Sequence, residues 1–120
     1  MAGRARSFTH AFMGLRDVIG TQRNAWIHAA ATAFVVVAGI ALDATRLDWC
    51  WLVAAIAAVW VAEAFNTALE ALADAAVPEL HPKIRVAKDA AAGAVLVAAA
   101  AAALIGILIL GRPLLLRFVG

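Results

Sequence analysis

The stretch WLVAAIAAVWVAEAFNTALEALAD, residues 51–74, sets two patterns against each other. Residues 51–62 carry no charge and read as a helix ready to cross a bilayer, yet Glu63, Asn66, Glu70 and Asp74 follow on the same helix. Lipid penalises ionisable groups, so those found within a span usually mark a functional site. Glu63, Glu70 and Asp74 are spaced by seven and four residues and fall nearly on one line, with Asn66 beside them and Thr67 between. The other side of the helix is Ala, Leu, Val and Phe. Such a line must face protein, water or metal rather than lipid. Asp74, and Glu70 in part, lie close enough to the cytoplasmic end for simple solvation to account for them. Glu63 and Asn66 lie two turns or more deeper at about 1.5 Å per residue, and solvation alone explains them poorly.

The whole chain supports a membrane reading. Its 120 residues are 66% hydrophobic with a mean hydropathy of +0.93, far too apolar for a soluble domain of this length. No Asp, Glu, Lys or Arg occurs between Arg23 and Asp43, nor between Asp89 and Arg112. Each gap is about the ~20 residues that cross a bilayer as a helix. The expectation is an all-α membrane protein with transmembrane helices near 25–43, 49–72 and 89–110. The alternative for the first, a cleaved signal peptide, is opposed by its length, by His28 within it and by the lack of a small-x-small site after it. Arg4, Arg6, Arg16 and Arg23 precede the first span, and Lys83, Arg85 and Lys88 lie between the second and third. Only Arg46, Arg112 and Arg117 fall on the opposite side. The positive-inside rule then places the N-terminus and the 73–88 loop in the cytoplasm. The pI of about 9.3 follows from these scattered basic ends and calls for no nucleic acid. Cys50 is the only cysteine, so no intrachain disulfide forms and it reads as an apolar filler.

Ahead of the spans, Phe8, Phe12, Leu15 and Ile19 recur at helical spacing while Arg6, His10 and Asp17 lie largely on the other face. That pattern suits an amphipathic helix over about 6–20 lying in the membrane interface. DATRLDW reads as the turn of a hairpin, with Trp49 and Trp51 at interfacial depth, and VPELHPK, with two prolines, reads as a loop. AAAGAVLVAAAAAA in the last span offers small side chains that let helix backbones approach. Three short helices bury little surface, so assembly into an oligomer is expected.

A second polar group, HPKIRVAKDAAAG, puts Lys88 and Asp89 at the start of the third span. Adjacent opposite charges there can be plain interface anchors. A lysine beside carboxylates is also the arrangement that holds a magnesium-bound polyphosphate, carboxylates on the metal and cations on the phosphate oxygens. Neither GxxxxGK[ST] nor the protein-kinase motif set is present.

EAFNTALEALAD followed by HPKIRVAKDAAAGAVL closely resembles the prokaryotic integral-membrane lipid kinases, diacylglycerol kinase and its relative undecaprenol kinase. SFTHAFMGL and NAWIH look like that family's N-terminal blocks, so the resemblance runs from Phe8 to about Leu110. It implies a homotrimer of three-helix subunits with active sites between neighbours at the cytoplasmic interface, and transfer of the γ-phosphoryl group of ATP, with Mg2+, to a lipid hydroxyl. It further implies Glu63 as catalytic base, Asn66 as the residue orienting it, and Glu70 as metal ligand. His10, Glu79, His81, Lys88 and Asp89 fall at positions similar to those that bind the nucleotide. Gln22 stands where the family commonly has a second metal-binding glutamate, and Trp26 where arginine is frequent. A neutral amide offers one oxygen and no charge to magnesium, so a weakened kinase is one alternative. A small proton-coupled transporter built on Glu63 is another. It is disfavoured because a transporter needs one mid-membrane carboxylate, not Glu70 with Lys88 and Asp89 at the cytoplasmic edge. The acceptor, diacylglycerol or undecaprenol, leaves no clear pattern, although HPKIRVAKDAAAGAVL leans slightly towards the undecaprenol branch.

Overall fold

The computed structural model describes residues 2–21 and 23–119. Four helices follow one another: α1 (Ala2–Thr21), α2 (Arg23–Ala41), α3 (Arg46–Ala76) and α4 (Pro82–Val119). No strand occurs among the described residues. An apolar medium leaves backbone groups no outside partner, and the helix satisfies them within the segment. α2, α3 and α4 are each long and apolar enough to cross a membrane.

The helix ends differ from the sequence expectation, and each difference has a local cause. Arg46, Leu47 and Asp48 belong to α3 rather than to the turn. Thr45 is the N-cap, its hydroxyl accepting from the Asp48 N–H at 3.1 Å while the Thr45 N–H donates to Asp48 Oδ2 at 3.0 Å. This reciprocal capping box starts the helix early. The chain leaves α2 through Asp43 at φ 54, a left-handed conformation that Asp tolerates better than most residues. Pro82 and Lys83, read as loop, open α4, because proline at a first helical position forfeits only an N–H that has no helical acceptor. The irregular connection is therefore just 77–81. At the far end α4 continues through Pro113 to Val119. The ring removes one backbone hydrogen bond there, and the last turns re-form beyond it.

At about 1.5 Å per residue, the 38 residues of α4 extend about 57 Å, matching the longest dimension of the molecule, 57 Å. α3 and α4 share by far the largest helix–helix contact, and α2 touches each of them only locally. The tightest packing lies towards the 42–45 turn, where Ala38, Leu52 and Leu110 are buried together with Val35, Leu42, Trp49 and Ile109 against them. Arg117 of α4 closes this end by donating from Nη1 to the Ala41 carbonyl at 2.8 Å, satisfying one of the orphan acceptors at the end of α2. Large apolar side chains such as Phe34, Val53, Leu96 and Leu108 remain exposed, as suits surfaces covered by lipid or by further protein.

Gly39 is what allows α2 and α3 to meet so closely at this end. A Cβ built on it would stand 2.7 Å from Cη2 and 2.8 Å from Cζ2 of Trp49. Gly39→Ala is therefore expected to push the Trp49 indole out of the cluster and to cost about 1–3 kcal/mol as an overpacking change. Thermal unfolding in detergent or bilayers measures it, and an unchanged melting temperature would show that the indole moves aside freely.

Candidate functional site

α3 turns Glu63 and Asn66 inward. They are 1% and 8% exposed and are the buried polar side chains among the described residues. Thr67, one turn on, spends its hydroxyl on the Glu63 carbonyl at 3.0 Å, a local bond that keeps it off the carboxylate. From α2, His28 comes alongside, its Nε2 3.4 Å from Glu63 Oε2. Both oxygens of Glu63, Nε2 of His28 and Oδ1 of Asn66 are buried without a hydrogen-bond partner. Leaving such groups unsatisfied costs about 1–3 kcal/mol each, so their gathering here is not explained by stability. They open on a cleft of ≈ 290 Å³. Asn24, Ile27 and His28 of α2, Glu63 and Asn66 of α3, and Ala92, Val95, Leu96 and Ala99 of α4 line it.

Trp60, one turn before Glu63, packs edge-to-face on the His28 ring with centroids 6.2 Å apart and planes at 72°. Its indole N–H donates to Thr32 Oγ1 at 3.0 Å, and the Thr32 hydroxyl donates to the His28 carbonyl at 2.7 Å. A second, apolar groove of ≈ 400 Å³ runs from His28 and Thr32 past Leu52, Ala55 and Val59 to Leu110 and Leu114. Ile27, His28 and Ala99 line both spaces. The polar cleft thus adjoins a surface suited to hydrocarbon.

The remaining residues singled out in the sequence lie nearer the 77–81 loop. Glu70 is half-buried on α3, about 10 Å beyond Glu63 along the axis. Asp74 is exposed but does not stand alone: Lys88 of α4 donates from Nζ to its Oδ1. With the two side chains 34% and 68% exposed, water screens this pair and it adds little to stability. It does hold an ammonium group at the loop-side end of the helix pair. Asp89 is exposed on the next residue. Glu79 and His81 are exposed in the loop, where His81 Nδ1 accepts from the Lys83 N–H at 3.1 Å and so caps the start of α4. His10 is exposed on α1, and Gln22 lies outside the described residues. No group of three or more His, Cys, Asp or Glu that could hold a metal ion occurs among the described residues. That donor set does not suit a protein-only cage. It suits magnesium, which usually takes one or two carboxylates and completes its shell with substrate phosphates and water. Glu70 is the half-buried carboxylate at this end of α3.

His28 is the ionisable member of the cleft that was not among the site residues expected from the sequence. Its signal was present. In the otherwise apolar run of α2, Asn24, His28 and Thr32 recur every four residues and form one polar stripe. His28 is the ionisable member, and an ionisable residue inside a span marks function by default.

Three comparisons bear on this arrangement. The family model for prokaryotic diacylglycerol kinase matches residues 9–110. The undecaprenol kinase of Bacillus subtilis (strain 168) is 38% identical over 104 residues, which cover 87% of this chain and 85% of that protein. The diacylglycerol kinase of Synechocystis sp. is 38% identical over 110 residues, 91% of this chain and 63% of that protein. No solved structure gives a significant match.

Because the polar atoms of the cleft oppose stability, Glu63→Leu is expected to raise the melting temperature, by an amount equivalent to about 1–3 kcal/mol. A lower melting temperature, measured in the same bilayer or detergent, would mean that the carboxylate is a satisfied structural element.

Proposed function

This chain belongs to the prokaryotic diacylglycerol kinase family and is a lipid kinase, and from that premise we propose that it transfers the γ-phosphoryl group of ATP to the hydroxyl of a membrane lipid alcohol at the cytoplasmic edge of the bilayer. One observation carries the reading: the carboxylate of Glu63, buried without a hydrogen-bond partner and with Asn66 beside it, opens on a cleft that adjoins an apolar groove. Depth supports it. With Arg46 at the outer boundary, a hydrocarbon core of about 30 Å is crossed in about 20 residues at 1.5 Å each. That distance ends near Glu63 and Asn66. The hydroxyl of a lipid alcohol stays at headgroup depth, which is where this carboxylate then lies.

In this mechanism the lipid chain lies along the apolar groove and its hydroxyl enters the cleft. Glu63 accepts the hydroxyl proton as the acceptor oxygen bonds to the γ-phosphorus. The bond from that phosphorus to the β–γ bridging oxygen breaks, and its electron pair leaves on ADP. Asn66 orients the carboxylate and the hydroxyl. On the cytoplasmic side Lys88 exchanges Asp74 for phosphate oxygens, with Asp89, Glu79, His81 and His10 around the nucleotide; Glu70 would hold the metal, and Gln22 would offer it a neutral oxygen. Mg2+, when bound there, would supply charge neutralisation for the phosphates. Diacylglycerol and undecaprenol are the acceptors to assay.

We place the chain in the bacterial inner membrane with its N-terminus inside. There α1 lies in the interface, and three copies form a homotrimer that closes each site with a neighbour. The exposed apolar faces of α1 and of the spanning helices and the small buried core support this assembly.

Glu63→Gln is expected to lower phosphoryl transfer by about 10²–10⁴-fold with nucleotide affinity retained. Full activity of the variant, assayed with ATP, Mg2+ and each lipid alcohol, removes Glu63 as the base. Topology has its own measurement. A cysteine in place of Arg46 should react with an impermeant thiol reagent added outside intact cells, and one in place of Lys83 should not. The reverse labelling would put the site on the face without ATP.

A further inference from the structure

We propose that His28 is a positioning residue for Glu63, fixed in turn by a polar ladder that registers α2 against α3. The proposal rests on the reading of Glu63 as the base. α2 and α3 meet only locally, yet two lateral contacts join them one turn apart. His28 Nε2 lies 3.4 Å from Glu63 Oε2, and the Trp60 indole N–H donates to Thr32 Oγ1 at 3.0 Å. His28 and Thr32 are four residues apart, Trp60 and Glu63 three, so each pair lies on one face of its own helix. The rungs are also tied along the helices. The Thr32 hydroxyl donates to the His28 carbonyl at 2.7 Å, and the Trp60 ring meets the imidazole edge-to-face.

The orphan atoms give this bracket a purpose. Nε2 and Oε2 are both buried without a hydrogen-bond partner and face each other. A small closing movement makes Nε2–H a donor to Oε2 and satisfies both. This occupies one carboxylate oxygen and leaves Oε1, also unpartnered, for the acceptor hydroxyl. A base tethered through one oxygen holds the other at a defined place, and misplacement of a reacting group by about 1 Å can cost about 10²-fold in rate. His28 also lines both the polar cleft and the apolar groove, so it tethers the carboxylate at the point where a lipid chain would pass into the site. Its action is on Glu63, not on nucleotide.

The test compares His28→Leu, which removes the donor, with His28→Gln, which keeps an N–H donor, in bilayers with ATP, Mg2+ and the lipid alcohol. His28→Leu is expected to lower kcat about 10–100-fold with KM for ATP unchanged, and His28→Gln to restore most of it. In a Glu63→Gln background His28→Leu should take away nothing further from the residual rate, because a residue acting through Glu63 has nothing left to position. Wild-type kcat in His28→Leu, no rescue by His28→Gln, a rise in KM for ATP equal to the fall in kcat, or a full additive loss in the Glu63→Gln background each overturns the proposal. If His28→Leu does not assemble, Thr32→Val is read in its place. It removes only the hydroxyl that anchors Trp60, and should lower kcat at constant KM for ATP; an unaltered kcat overturns the ladder. An active Glu63→Gln enzyme is a different outcome and removes the base itself. An inactive Glu63→Gln beside a fully active His28→Leu removes only the role of His28.

Discussion

Hydrocarbon supplies no hydrogen bonds, and nearly everything in this molecule follows from that. Backbone polar groups have to be satisfied within each segment, so the crossing elements are helices. Side-chain polar groups have to leave the lipid face, so α2 collects Asn24, His28 and Thr32 on one stripe and α3 sets Trp60, Glu63 and Asn66 against it. Where a partner is available, as for Trp60 with Thr32 or Thr67 with the Glu63 carbonyl, the requirement is met. Where none is, as at Glu63 Oε1 and Asn66 Oδ1, the polar atom stays buried without a hydrogen-bond partner.

That division separates two halves of the same site. The inner half is built on the spanning helices, with the buried Glu63 facing a cleft lined by α2 and α4. The outer half, with Glu70, Asp74, Lys88 and the loop residues Glu79 and His81, is exposed or half-exposed. In the proposed reaction a lipid hydroxyl and a nucleotide polyphosphate come from opposite media, and each half would offer the chemistry its reactant needs: a buried carboxylate for the first, exposed charges for the second. Lys88 already holds an acidic partner in Asp74, so in the proposed reaction a phosphate oxygen would replace one acceptor with another.

Much of this was legible in the chain, for a physical reason. Charge-free runs, and the line formed by Glu63, Glu70 and Asp74, are consequences of lipid and of helical periodicity, and both are written one residue at a time. Helix ends were less legible. Arg46–Asp48 read as turn until the Thr45 side chain is seen to cap them, and Arg112–Val119 read as tail although α4 runs on past Pro113, because stop signals compete with the tendency of a long helix to continue. His28 was the main omission from the site. Its meaning comes from Glu63 thirty-five positions later in the chain, and a pairing across two helices has no local trace beyond a four-residue spacing. The ion pair between Asp74 and Lys88 was hidden for the same reason.

The near contact between Gly39 and the Trp49 indole acts mechanically as a pivot. It clamps the α2–α3 hairpin at the end away from the cleft, with Arg117 fastening the tip of α2 from the other side. From Gly39 to His28 the lever arm is about 16 Å along the helix. A rotation of about 5° about the clamp then shifts His28 by about 1.4 Å over that arm, enough to separate it from the carboxylate it faces. The opening angle of the hairpin and the geometry at Glu63 are one variable seen at two places. A bilayer whose thickness or lateral pressure alters that angle would alter the distance between His28 and Glu63 with it, without touching either residue.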